Sequence, residues 1–179
     1  AVAFMVATGG SAIIARKMGE GNLQEARGTF SFLIAVELAI GIAIALFGNL
    51  LVNEILSFLG ATSVQAPLSI PYARVIFAFA PAFFLQTAFQ TFFVTAGKPA
   101  LGLCVTVLAG VTNIVLDYIF MAPLHMGIAG AAIATGIGYC IPAAVGMIYF
   151  LTTRKNYLHF VGVRFERSVL LKACGNGSS

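Results

Sequence analysis

Residues 101–121 read LGLCVTVLAGVTNIVLDYIFM, an apolar stretch that is interrupted near its end by one carboxylate, Asp117. A run of about 20 apolar residues is long enough for a helix to cross the hydrocarbon core of a bilayer. A carboxylate inside such a helix costs about 2.5–3.5 kcal/mol on the insertion scale and marks a functional site by default. The stretch therefore predicts a transmembrane helix that holds an ionisable group.

Asp117 belongs to a stripe of small and polar residues on one face of that helix. At about 100° per residue, the stripe covers an arc of roughly 80°, and Leu, Val and Ile occupy the opposite side. Asn113 offers an amide, and Asp117 offers a charge or, when protonated, one donor. A carboxylate that alternates between proton-bound and cation-bound states is the minimum that antiport requires. The alternative is a structural hydrogen-bond clasp between helices. The stripe comprises Gly102, Thr106, Gly110, Asn113 and Asp117.

The composition extends this interpretation to the whole chain, because 60% of its 179 residues are hydrophobic and only 9% are charged. We expect an all-α fold, a polytopic transmembrane helix bundle of about five spans. The connection before the third span is expected to hold a short interfacial helix at 54–59. Pro81 and Pro142 are expected to kink the third and fifth spans. The five spans are 1–15, 28–51, 72–95, 101–121 and 127–151.

Basic residues are strongly biased toward one side of this predicted bundle. Arg74 alone falls on the opposite side, which indicates that the basic connections are cytoplasmic. Because these charges are spread over several loops, they indicate topology and not a nucleic-acid surface. The cytoplasmic set comprises Arg16, Lys17, Arg27, Lys98, Arg154, Lys155, Arg164, Arg167 and Lys172.

Other polar residues inside the spans are candidates for a site. Glu37 in the second span is a possible cavity-lining residue and second ionisable group, or a residue that snorkels or pairs with another helix. Gln86 and Gln90, one turn apart in the third span, line a substrate cavity or form an inter-helix clasp. Thr135 lies on a face of small residues that allows close helix packing. That face comprises Gly127, Ala131, Thr135 and Gly138.

Several classes of chemistry have no support in the sequence. The three cysteines have no spacing that predicts a disulfide framework or a metal site, and no phosphate-binding loop motif is present. His125 and His159 fall in connections and not beside a serine at bilayer depth, which argues against an intramembrane hydrolase. We therefore expect no enzyme activity and no cofactor.

Four segments resemble the multidrug and toxic compound extrusion (MATE) family. They read GGSAIIARKMGEGNLQEAR (9–27), FQTFFVTAGKPALGL (89–103), GVTNIVLDYIF (110–120) and MGIAGAAIATGIGY (126–139). The resemblance implies a twelve-helix fold of two six-helix lobes, related by an axis along the membrane normal. It also implies export of cationic and amphiphilic compounds in exchange for Na⁺ or H⁺.

The resemblance further implies how this chain divides. Residues 1–151 would form helices two to six of the amino-terminal lobe. Residues 152–179 would form the cytoplasmic linker between the lobes and the truncated start of the seventh helix. The first helix and the carboxy-terminal lobe would then be missing from this fragment.

A cation site in the amino-terminal lobe of several MATE proteins provides a residue match. Its fifth-helix Asn and Asp match Asn113 and Asp117, and its sixth-helix Thr matches Thr135. The site also uses an Asp of the first helix, which the fragment lacks. Gln90 and Val94 stand where many relatives have Asn and Arg, and no family counterpart is assigned to Glu37.

Together these observations predict a secondary active antiporter in the cell membrane. Its partners would be the lipid bilayer and small cationic or amphiphilic substrates, and not nucleic acid. Asp117 would hold the coupling H⁺ or Na⁺. The alternatives are a flippase for lipid-linked saccharides, which should line its cavity with several cations, and an intramembrane enzyme.

Overall fold

The structure, a computed structural model, describes residues 2–60, 62, 65–153, 157–162 and 167–177, without the side chains of residues 167, 168 and 171. Within these ranges the chain forms helices and no strands, which confirms the predicted all-α class. The helices are α1 (Val2–Gly19), α2 (Leu23–Leu50), α3 (Val52–Phe58), α4 (Ala66–Ala78), α5 (Ala80–Thr95), α6 (Pro99–Met121), α7 (Gly127–Thr152) and α8 (Arg167–Gly177).

Three of these helices, α2, α6 and α7, are each long and apolar enough to cross a membrane. The pair α4 and α5 passes the same test as one broken span, so the described residues hold up to four candidate crossings. The first of the five predicted spans is helical as α1 but is not among these crossings. Its last turn carries Arg16 and Lys17, which lower its apolar character.

The third predicted span differs most from its expected form. It begins at Ala66 and not at Tyr72, and its two halves bend by 51° at a break. The break falls at Phe79, just before Pro81 enters the first turn of α5. A proline is tolerated in a first turn, where its missing N–H leaves no helical bond unmade. The helix α7, by contrast, continues through Pro142.

Aromatic rings from α2, α5 and α7 meet in the core. The ring centroids of Phe30 and Phe150 lie 4.8 Å apart, and those of Phe93 and Phe150 lie 5.4 Å apart. The α7 backbone admits such rings because glycines face them. Phe89 packs on Gly146, and the ring of Phe79 at the break packs on Gly136.

Part of the predicted linker, residues 157–162, packs on the start of α2. The Nε atom of Arg27 donates a hydrogen bond of 2.9 Å to the carbonyl oxygen of Tyr157. The backbone N–H of Val161 donates another, also of 2.9 Å, to the Ser31 hydroxyl. This segment is therefore attached to the bundle.

The helix α8 packs along α1, and their backbones approach closely at two glycines. A Cβ atom at Gly9 would meet the carbonyl group of Ala173, and one at Gly177 would meet the backbone of Met5. Any larger side chain at these positions would therefore separate the two helices.

Candidate cation and substrate site

A cavity of about 350 Å³ lies between α5, α6 and α7. Most of the residues that line it carry an amide or a hydroxyl group, and the others are small. They are Gln86, Gln90, Thr106, Ala109, Gly110, Asn113, Thr135, Gly138 and Tyr139. The cavity therefore gathers polar groups from three helices, and it is open on the side of Thr106 and Gly110, which are exposed.

The helix α6 brings Asn113, from its small and polar stripe, against α7, whereas Thr106 and Gly110 of the same stripe are exposed. A Cβ atom at Gly138 would lie 3.4 Å from the Cβ atom of Asn113, so the two helices meet at ordinary van der Waals distance. Large apolar residues cover the opposite side of α6. Leu103, Ile114 and Tyr118 are 66%, 68% and 71% exposed, as expected for side chains that face lipid.

Asn113 and Thr135 meet across the α6–α7 contact. The Nδ2 atom of Asn113 donates a hydrogen bond of 3.5 Å to the Thr135 hydroxyl oxygen. Such a length is at the outer limit for a hydrogen bond and implies a weak interaction. The amide and the hydroxyl are thus adjacent without being tightly bound to each other.

Both Gln86 and Gln90, for which the sequence left a cavity and an inter-helix clasp open, line the cavity. Tyr139 lines it as well and was missed by the sequence analysis. Its ring packs edge-on against Phe83, with centroids 5.3 Å apart. A hydroxyl-bearing aromatic residue directly after Gly138, in an otherwise apolar span, is the signal that could have identified it.

Asp117 lies one turn of α6 beyond Asn113, roughly 6 Å further along the helix axis. It is half-buried and is not among the residues that line the cavity. Its Oδ1 atom is buried without a hydrogen-bond partner among the described residues. An unpaired carboxylate oxygen away from water is unfavourable unless a proton or a cation compensates it.

Glu37 does not line the cavity, in contrast to the sequence-based hypothesis. It is fully buried, at 0% exposure, in the middle of α2, a helix that packs against α1, α4 and α5. The cavity lies on another side of α5, between that helix, α6 and α7. Apolar periodicity could not reveal this, because α2 is apolar on all sides and has no marked orientation.

No formally charged side chain is found among the described residues that line the cavity. Its amide and hydroxyl oxygens can replace part of the hydration shell of a cation. Asp117, one turn away, is the nearest negative group along α6. The part of the chain that the structure describes contains no cluster of three or more His, Cys, Asp and Glu residues that could hold a metal ion.

Several apolar candidate crossings in one helical bundle define an integral, multi-pass membrane protein. The family model described as MatE matches residues 1–119, and the chain belongs to this family.

Curated relatives agree with this assignment. The chain is 29% identical over 148 residues to the multidrug export protein MepA of Staphylococcus haemolyticus, covering 83% of this chain and 32% of that protein. It is 26% identical over 159 residues to the probable multidrug resistance protein YoeA of Bacillus subtilis, covering 87% and 34%. The chain thus spans about a third of the length of these relatives.

Solved structures show the same fold. An inward-facing multidrug resistance MATE family transporter of the MOP superfamily is 24% identical, with a TM-score of 0.90 over 98% of this chain and 40% of that chain. An outward-facing structure of such a transporter has a TM-score of 0.87, with 24% identity, over 96% and 38%.

Proposed function

We propose that this chain is part of a secondary active antiporter of the cell membrane, which exports cationic or amphiphilic compounds in exchange for H⁺ or Na⁺. Residues 1–151 would supply helices two to six of an amino-terminal lobe, and 152–179 the linker and the start of a seventh helix. The first helix and a second lobe would complete the transporter. The proposed activity is transport and not catalysis, and it requires no cofactor beyond the coupling ion.

The proposal rests mainly on one observation, the unpaired and buried Oδ1 atom of Asp117 one turn from a polar cavity. A proton would neutralise this carboxylate, and a cation would balance its charge. Asn113 and Thr135 would provide neutral oxygens to a Na⁺ ion or to a cationic substrate. Their own hydrogen bond of 3.5 Å is weak enough to be exchanged for a ligand.

Exchange at Asp117 would link the two transported species. With Asp117 ionised, the cavity region carries a negative charge that favours a cationic substrate. With Asp117 protonated, this attraction is lost and the substrate is released. Binding can bias the bundle toward one conformation only through such a difference in affinity between states. Gln86 and Gln90 would contact the substrate from α5.

The lipid-linked saccharide flippase is less well supported. A site for a pyrophosphate group would bring cationic side chains to the cavity, whereas the described lining consists of amide, hydroxyl and small residues. A pair of nucleophile and base, which an intramembrane enzyme would require, is likewise not found among the lining residues.

The test is efflux of a cationic dye from proteoliposomes that contain the complete protein. Asp117→Asn should abolish ion-driven efflux, because the amide keeps the shape of the side chain and loses the exchangeable charge. Imposed Na⁺ and pH gradients would be varied separately to identify the coupling ion.

Glu54→Gln is the matched control, because it also removes one carboxylate, from the exposed surface of α3. It should leave efflux unchanged. Normal efflux by the Asp117→Asn protein would remove Asp117 from the mechanism. Efflux that depends on neither gradient would exclude secondary antiport.

A further inference from the structure

Glu37 is the most deeply placed ionisable side chain among the residues that the structure describes. It is the fifteenth residue of the 28 in α2, so roughly 20 Å of helix separate it from either end. The side chain has 0% exposure. Both carboxyl oxygens, Oε1 and Oε2, are buried without a hydrogen-bond partner among the described residues.

The basic side chains of α1, which packs against α2, interact with groups other than Glu37. On α1, Arg16 lies 2.8 Å from Glu20, and the Nζ atom of Lys17 donates to the Thr29 hydroxyl at 3.0 Å. Thr29 precedes Glu37 by two turns, or roughly 12 Å along the axis. These basic groups therefore lie toward the start of α2 and do not compensate a charge at its middle.

The other helices packed against α2 offer no counter-charge either. The helix α5, Ala80–Thr95, contains no titratable side chain. On α4 the titratable groups are Tyr72 and Arg74, both exposed, and on α3 the only one is the exposed Glu54. The remaining charged groups of α2 itself, Glu25 and Arg27, lie in its first two turns.

An ionised carboxylate in such surroundings would carry a desolvation penalty of several kcal/mol with nothing to offset it. The neutral acid avoids that penalty and retains one O–H donor. We propose that Glu37 is a proton-binding site, occupied by a proton in this conformation and separate from the cavity between α5, α6 and α7. Its ligand is the proton itself, since Oε1 and Oε2 are buried with no hydrogen-bond partner among the described residues.

The neighbouring helix contact determines how this proton is exchanged. One turn beyond Glu37, the backbone of α2 packs directly on the break between α4 and α5. A Cβ atom at Gly41 would lie 2.6 Å from the Cα atom of Pro81 and 3.2 Å from the carbonyl oxygen of Ala80. Water reaches Glu37 only when this contact opens. The O–H bond then breaks, the proton passes to that water, and the carboxylate remains until the contact closes on a newly bound proton.

Infrared spectroscopy of the complete protein tests the proposal, because a protonated carboxyl absorbs apart from a carboxylate. At neutral pH the wild-type protein should show a protonated-carboxyl band that Glu37→Gln removes. Glu54→Gln and Asp117→Asn are matched controls that should each retain the Glu37 contribution. Glu37→Asp, which keeps the acid, should restore a protonated band.

An identical band in wild-type and Glu37→Gln proteins, or its absence from the wild type, would overturn the proposal. If Glu37→Gln yields no monodisperse protein, the glutamate carboxyls of the wild-type protein would be labelled with ¹³C instead. A protonated-carboxyl band that does not shift on labelling would also overturn the proposal. The infrared measurement does not require transport, so its result tests the proposal for Glu37 independently of the role proposed for Asp117.

Discussion

Two carboxyl groups in this bundle occupy opposite kinds of surroundings. Asp117 is half-buried near the end of α6, beside a polar cavity. Glu37 is completely buried in the middle of α2, where side chains and backbones pack closely. Both have a buried oxygen without a partner among the described residues, but only Asp117 adjoins space for a ligand.

The difference shows that access, and not only depth, determines what an intramembrane carboxyl can do. In the proposed function, Asp117 would exchange a proton for a larger cation beside the adjoining cavity. In the proposed proton site, Glu37 would bind only a proton and would release it after a movement of helices. The two regions should therefore respond differently to substitutions that change charge, size and hydrogen bonding.

The largest expected difference comes from replacing each carboxyl by an ammonium group. Glu37→Lys should lower the stability of the protein by about 2.5–3.5 kcal/mol, the cost of a cation at the centre of a membrane helix. Asp117→Lys should have a much smaller effect, because a long side chain near a helix end can extend its charge to the interface. Thermal unfolding of the purified proteins in detergent measures both. Equal losses of stability in the two lysine variants would show that the surroundings of Asp117 are as inaccessible to water as those of Glu37.

The next largest effect on stability is expected from a larger side chain at Gly41, where α2 packs beside Glu37. Gly41→Leu introduces atoms against the backbone of Pro81, which has little freedom to yield, and overpacking of this kind costs about 1–3 kcal/mol. Gly28→Leu on the same helix is the control, because a Cβ atom there meets nothing within 4 Å. Comparable stability of the two variants in thermal unfolding would contradict the tight α2–α5 contact.

The smallest effect on stability is expected in the cavity. Thr135→Val removes the hydroxyl that accepts the long hydrogen bond from Asn113, and interhelical bonds in membranes average about 0.6 kcal/mol. The apparent affinity for the coupling cation should fall nonetheless, because a ligand oxygen is lost. Thr112→Val is the control, since that exposed hydroxyl donates only to the Leu108 carbonyl oxygen on its own helix.

Cation-dependent efflux by both threonine variants would be compared over a range of ion concentrations. A normal apparent affinity in Thr135→Val would place this hydroxyl outside the ion site. An equal loss in both variants would point to a general effect of removing a helical hydroxyl.

The sequence was sufficient to predict the helix α6, but it left Gln86 and Gln90 open between two roles and did not single out Tyr139. The α6 stripe has a clear helical period, so the sequence alone shows that its members share one face. Gln86 and Gln90 share a face because they are four residues apart. These predictions depend on local geometry, which one helix fixes by itself.

The rest depends on how helices pack. The break at Phe79 lies before Pro81 and not at it, because the helix restarts so that the proline occupies a first turn. The burial of Glu37 depends on which side of an evenly apolar helix meets α1 and α5. Neither result follows from the helical period of one segment. The third span also begins earlier than predicted, at Ala66, because Pro71 in the sequence indicated a helix end where the helix in fact continues.

The seating of two rings in α7 has a consequence for motion in the bundle. Phe79, at the break, and Phe89, in the middle of α5, each insert at a glycine of α7, at positions 136 and 146. If the α4–α5 pair straightened, the ring of Phe79 or that of Phe89 would have to leave its glycine on α7. The other side of the bend is held in the same way, because the ring of Phe77 on α4 packs on Gly48 of α2 and the backbone of Pro81 packs on Gly41. A conformational cycle that straightens the bent pair would therefore have to withdraw rings from both α2 and α7.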